Sequence, residues 1–190
     1  MVRGSSPRWG AKFKWCIVSY RYEINVPYIV SKFENHSLVK EKLLDLINKQ
    51  DCVVENRGGD KISRTDWYVE PGSVRDYWKF IFPDIEKHMV NVFSDLNLKE
   101  YTFTNYWFQQ YEHLDMHGWH RHRHCFYSSV YYIELPNDGP KTIFKHPVYG
   151  TIICPEVEEG DILTFPSILE HCSAPNQSTN RKTVLAFNVA

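Results

Sequence analysis

The run Trp119-His120-Arg121-His122, followed far downstream by His171 and then Arg181, holds the side chains of this chain best suited to chemistry. On an extended strand, residues i and i+2 point to the same face, so the imidazoles of His120 and His122 can reach one metal ion. His171, arriving from a distant strand, would complete a facial set of three nitrogens and leave coordination positions open for a co-substrate and O2. A cation shortly beyond the third ligand can hold the far carboxylate of a chelating acid. Together these have the arrangement expected of a non-haem iron oxygenase. His117 and His124 add to the local excess and read as solvated groups or as groups standing behind the ligands. A zinc site without redox chemistry is the competing use of such a cluster. The distant His171 and the downstream cation weigh against it, because zinc hydrolysis needs neither an acid anchor nor a pair of open positions.

The elements that must carry these residues change character near residue 100. Before it, Leu38, Val39, Leu43, Leu46 and Ile47 recur at helical spacing behind a Ser37 cap. Arg57-Gly58-Gly59-Asp60 reads as a turn. The stretch 74–98 is again helical, with Pro83 expected in the first turn of a second helix and the Asn97-Leu98 step expected to end it. Its apolar stripe is Ile85, Met89, Val92, Phe93 and Leu96. After residue 100 the segments 102–111, 128–133, 142–145, 151–154, 162–165 and 183–189 are rich in strand formers. Turn chemistry separates them at Pro136-Asn137-Asp138-Gly139-Pro140, Pro147-Val148-Tyr149-Gly150 and Glu159-Gly160-Asp161. Short strands with regular turns, preceded by helices, predict a mainly β sandwich or jelly roll with supporting N-terminal helices. The helices should cover the outer face of one sheet, and the inner face of the other should hold the site.

Bulk properties agree with a single domain over 1–190, in which 1–100 is a helical and mixed support region and 101–190 the jelly-roll core. With 22 basic and 23 acidic residues there is no global field to draw the chain to nucleic acid, so nucleic acid is not an expected partner. The basic stretch 3–14 reads as a solvated tail. Five cysteines without a CxxC pair read as reduced thiols, and no apolar run is long enough to span a membrane. A soluble, cytoplasmic protein with no membrane partner is the expectation. Aromatic residues, at 15%, suit a barrel lined by large side chains with hydrogen-bonding tips, and suit an ordinary β core equally well.

A longer series runs through the C-terminal half: Tyr111, Trp119-His120-x-His122, Ser129-Val130-Tyr131-Tyr132, Gly160-Asp161-x-x-x-Phe165-Pro166-Ser167, His171, Arg181-Lys182-Thr183 and Phe187-Asn188. In that order it resembles the 2-oxoglutarate- and Fe(II)-dependent oxygenases. The likeness is to the prolyl-4-hydroxylase-like branch and to the small oxygenases of marine bacteriophages. The resemblance implies a double-stranded β-helix, Fe(II), 2-oxoglutarate as co-substrate, O2, and ascorbate as an accessory reductant. It also implies hydroxylation of a C–H bond with release of succinate and CO2. The prime substrate is a small molecule or a peptide: a peptidyl proline, an amino acid and another metabolite all fit.

Residue by residue, His120 and His171 match the family's metal ligands. The family usually has a carboxylate two residues after the first histidine, and this chain has His122 there. Three readings stay open: His122 ligates iron, His122 only lines the pocket, or the pair shifts to His122 and His124. Arg181 is the expected anchor of the distal carboxylate, with the Thr183 hydroxyl on the same strand face. Alternation counted back from Asn188 turns Lys182 inward instead, and a bulge before Phe187 would reconcile the two. Tyr132 matches a tyrosine that donates to the same carboxylate, and Tyr111 another that lines the pocket. The rival classes are a three-histidine, cupin-like dioxygenase that works without 2-oxoglutarate, and a non-catalytic metal- or ligand-binding jelly roll.

Overall fold

The computed structural model describes residues 26–70, 73 and 75–190. The basic stretch 3–14, Cys16 and Val74 lie outside the described residues. The order of elements is β1 (Ile29–Lys32), α1 (His36–Lys49), β2 (Val53–Glu55), β3 (Ile62–Thr65), α2 (Asp76–Asp95), β4 (Phe103–Tyr111) and β5 (His117–His120). It continues with β6 (Tyr127–Glu134), β7 (Thr142–Lys145), β8 (Ile152–Ile153), β9 (Asp161–Pro166), β10 (His171–Ser173) and β11 (Lys182–Val189). A seven-stranded sheet in the order β1-β9-β6-β11-β4-β3-β2 faces a four-stranded sheet in the order β5-β10-β7-β8. The mainly β, jelly-roll expectation with supporting helices agrees with this architecture. No described helix is long and apolar enough to cross a membrane.

Period-two alternation sorts the large sheet into two faces. On its outer face Phe108, Tyr131, Ile133, Leu185, Phe187 and Val189 pack with Leu43 and Ile47 of α1 and with Ile81, Ile85, Met89 and Phe93 of α2. On its inner face Tyr111, Tyr132, Leu163, Phe165 and Val184 form a second core with Phe144 of the small sheet. Neighbours in sequence therefore serve opposite cores: Tyr131 faces the helices and Tyr132 the space between the sheets. Phe187 is 1% exposed at the centre of the outer core. Phe187→Ala is expected to cost roughly 3–5 kcal/mol in urea unfolding, as removal of a buried aromatic ring usually does.

Both helix starts differ from the sequence expectation. Helix α1 is preceded by Asn35 rather than capped by Ser37, and the Asn35 amide donates to Asp84 Oδ1 of α2 at 3.1 Å instead of capping. Helix α2 is continuous from Asp76, with Pro83 in its interior. Pro83 and Lys79 are both exposed, so the missing i+4 bond falls on the solvent side of the helix, where the loss is tolerable. The C-terminus agrees with the Asn97-Leu98 stop. Asn97 takes φ 55°, its N–H donates to Ser94 O at 2.9 Å, and the Leu98 N–H donates to Phe93 O at 2.8 Å, a Schellman closure. The short strands β1, β2, β3, β5 and β10 carry too few residues to show alternation in the sequence.

Candidate metal centre and its two pockets

His120 ends β5, and β10 pairs antiparallel with β5 so that His171 sits opposite His120. His122 lies two residues past the end of β5, not on it, and its N–H donates to Ser167 O at 3.0 Å. Strand pairing and this single loop bond bring the three rings together. Their ligand atoms all lie within 4.8 Å of one another. His124 is exposed with φ 64° and stands outside this group.

Two of the rings have a fixed tautomer. His120 Nδ1 is 2.7 Å from Gly118 O and His171 Nδ1 is 2.8 Å from Leu169 O. A carbonyl can only accept, so both Nδ1 atoms carry the proton and both Nε2 lone pairs are free for a metal. Burial holds His120 below its ordinary pKa, lowers His171 well below it, and takes His122 to about 4. Neutral imidazoles with oriented lone pairs are the form that binds a borderline cation such as Fe(II). The donor set therefore fits the ion.

A pocket runs inward from the triad between the sheets, lined by Gln109, Tyr111, Thr142, Ser173 and Lys182 among others. Lys182 is 1% exposed, and its ammonium donates to Ser173 Oγ at 2.8 Å. Nζ lies 4.8 Å from the centroid of the Tyr111 ring and 5.7 Å from that of Tyr132. Among the described residues no carboxylate pairs with it, and burial lowers its pKa to about 7. The register explains the placement. Pairing of β11 with β4 runs unbroken from Lys182↔Tyr111 to Asn188↔Asn105, so Lys182 shares the inner face with Val184, Ala186 and Asn188. That ladder has no bulge before Phe187; the irregularity at Thr183/Val184 is in the pairing with β6, where the extra residue is Ile133 of β6, so the alternation of β11 is kept.

Arg181 and Thr183 are consequently on the other side. The Arg181 guanidinium holds both oxygens of Glu134, through Nε at 3.0 Å and through a second nitrogen at 3.3 Å, and the Thr183 hydroxyl bonds the same carboxylate. The structure does not bring either into the pocket. The Tyr111 hydroxyl donates to Gln109 Oε1 at 2.8 Å. The Tyr132 hydroxyl donates to Thr142 Oγ1 at 2.9 Å, and burial pushes its pKa up to about 12. Both tyrosines thus form the wall around Lys182 with their hydroxyls already engaged.

Several pocket residues escaped the sequence analysis. Gln109 precedes Tyr111 by two, and Ser173 follows His171 by two, so the same-face rule applied to those anchors would have found both. His117, read from the sequence as solvated or as standing behind the ligands, is half-buried and takes the second place: its ring stacks on His120 at 3.8 Å and 22°. Gln109 Nε2 lies 3.3 Å from His117 Nδ1, and burial lowers the His117 pKa to about 2. Asp115 is buried, but it accepts the N–H groups of Ser63 and Glu112 at 2.9 Å and serves the loop, not the triad.

A second, outer cleft of about 170 Å³ shares His117, His120 and His122 with the inner pocket and opens to solvent past Glu55, Asp60, Trp67, Tyr68 and Trp107. The triad thus stands between an inner pocket with a buried cation and an outer cleft with an aromatic wall, and His171 lines only the inner one.

Comparison with known proteins gives a family match over part of the chain and a shared fold. Residues 105–188, from within β4 to within β11, match the family model described as putative 2OG-Fe(II) oxygenase. No curated protein matches the chain. Among solved structures, a 2OG-Fe(II) oxygenase family oxidoreductase from Burkholderia pseudomallei is similar at 13% identity and TM-score 0.70, covering 86% of this chain and 84% of that one. A prolyl-4-hydroxylase from Pseudomonas putida is similar at 14% identity and TM-score 0.62, covering 86% and 92%. HygX from Streptomyces hygroscopicus, with nickel and 2-oxoglutarate bound, is similar at 9% identity and TM-score 0.62, covering 87% and 83%. At these identities the likenesses show the shared fold.

Proposed function

From the premise that residues 105–188 match the 2OG-Fe(II) oxygenase family, we propose that the chain is an Fe(II)- and 2-oxoglutarate-dependent dioxygenase that hydroxylates a C–H bond. The observation that carries this is the neutral histidine triad sharing one pocket with a buried lysine that lacks an anionic partner among the described residues. Leaving an ammonium unpaired in that position is costly, and a dicarboxylate that reaches from the triad to Lys182 removes the cost.

In this assignment His120, His122 and His171 hold the iron. Lys182 receives the distal carboxylate of 2-oxoglutarate, Ser173 orients the ammonium, and the rings of Tyr111 and Tyr132 keep water from it. Trp107 and Trp67 flank His122 at 5.5 and 6.2 Å and give the reacting side an aromatic wall. Bound iron supplies oxygen activation, coupled to conversion of 2-oxoglutarate to succinate and CO2 and of a substrate C–H to C–OH. Three neutral ligands leave the centre one charge more positive than two histidines and a carboxylate would, which favours the dianionic co-substrate. The prime substrate enters from the outer cleft and is a small molecule or a peptide end.

The test is an anaerobic titration of metal-stripped protein with Fe(II) and then 2-oxoglutarate. The expected result is the visible charge-transfer band of a chelated 2-oxo acid, lost on admitting O2 as succinate forms. Iron binding without the band would overturn the co-substrate assignment. Failure to bind iron would overturn the enzyme.

A further inference from the structure

We propose that the outer cleft selects a substrate with a cationic nitrogen, an ammonium or guanidinium group, which Glu55 receives against the aromatic wall beside the triad. Calling the occupant a substrate rests on the dioxygenase assignment; its charge rests on the cleft alone.

Glu55 ends the edge strand β2 and is 6% exposed, yet it lines the cleft. The Glu55 carboxylate raises the pKa of the neighbouring Tyr68 hydroxyl, and its Oε1 has no hydrogen-bond partner among the described residues. A buried carboxylate oxygen without a donor is costly to keep, so one facing a ligand-sized opening points to a donor that arrives with the ligand. An inward charge on an edge strand also discourages pairing with another chain. That role requires neither an empty oxygen nor a cleft.

The other walls favour the same occupant. Trp67 and Tyr68 are 41% and 58% exposed, leaving aromatic surface open at the mouth. Trp67 stands edge-on to Trp107, with centroids 4.3 Å apart at 78°. Such rings accept the stem and the charge of an amine or guanidinium. Asp60 adds a second acid, although its Oδ1 already accepts the Gly118 N–H at 2.8 Å. The one lining cation, Arg121, is held by Glu170 at 3.1 Å. The cleft thus presents an unpartnered carboxylate oxygen in the same lining as the histidines, and its about 170 Å³ suits a single side chain or the end of a small amine.

The full chain, loaded with Fe(II) and 2-oxoglutarate and kept anaerobic, is titrated by calorimetry with Nα-acetyl-lysine amide, Nα-acetyl-arginine amide and the neutral Nα-acetyl-norleucine amide. At least one cation is expected to bind roughly tenfold or more tightly than norleucine amide, the scale of a hydrogen bond to a charged group. Glu55→Gln, checked for an unchanged melting temperature, should reduce that preference to roughly twofold or less. Equal binding of the neutral probe, no measurable binding of either cation, or a preference that survives in Glu55→Gln would overturn the proposal. If Glu55→Gln does not fold, the wild-type comparison alone decides, together with Trp67→Ala, which should weaken the cations. The 2-oxo acid band recorded in the same samples separates the two claims. A band without cation preference overturns only the substrate class, and cation preference without a band overturns only the dioxygenase.

Discussion

Replacing Lys182 by methionine is expected to raise the dissociation constant of 2-oxoglutarate by roughly 30-fold or more while iron affinity stays near wild type. The estimate is the cost of truncating one partner of a buried, hydrogen-bonded charge pair, roughly 2–5 kcal/mol. Methionine retains most of the stem volume, so packing against Tyr111 and Tyr132 changes little. Arg181→Ala is the control. Its side chain is engaged with Glu134 on the opposite sheet face, and its loss should leave 2-oxoglutarate binding within roughly twofold. The reverse pattern, with Arg181→Ala losing the co-substrate and Lys182→Met keeping it, would move the anchor to Arg181. A pH series gives a second signature. With no anion present, burial holds Lys182 at about 7. A bound dicarboxylate favours the charged form and raises that value, so binding takes up a proton above pH 7. Affinity should therefore fall as pH rises through 7, by up to about tenfold per pH unit, until the pKa of the complex is reached. In Lys182→Met the slope should vanish.

His171→Ala is expected to remove iron binding, with affinity falling by about 100-fold or more, beyond the 10–100-fold typical of losing a group that merely supports a ligand. His120 and His122 would remain as two neutral donors, and an alanine in the strand opposite His120 cannot replace the third. Bound iron after desalting, counted by a colorimetric chelator, reads the effect. Thermal melting of the metal-free variant guards against simple unfolding. Unchanged iron content would sink the ligand assignment. His122→Asp should behave differently and retain iron, because a carboxylate there supplies an oxygen donor and neutralises part of the ion's charge. Complete loss in His122→Asp would show that the imidazole itself is required.

These two sites also mark the boundary between what the chain's residues announce and what folding decides. The jelly-roll character, the turns between the later strands, and the Asn97 stop were legible because each depends on a few neighbouring residues with their own backbone preferences. His120, His122 and His171 stood out as candidates for the same reason, since rare residue types at strand spacing need no knowledge of distant partners. That His122 joins from a loop, held by one bond to Ser167, was not legible, because that bond spans chain segments far apart in sequence.

Lys182 against Arg181 is the sharper case. Both are cations next to each other, and a single bulge would exchange them between the two faces of β11. Only the unbroken ladder with β4, which depends on how the two strands slide into register around both cores, turns Lys182 into the pocket and gives Arg181 to Glu134. The hairpin that brings Glu55, Asp60 and Trp67 to the triad was likewise visible only as a turn, because its strands are three and four residues long and are held by β4 and by a bridge from Lys61 to Met116. The sequence by itself determined the chemistry on offer: imidazoles, cations and a β scaffold. The tertiary structure decided which cation is buried without an anion among the described residues and which acids line the outer cleft, because both are outcomes of register and burial rather than of residue type.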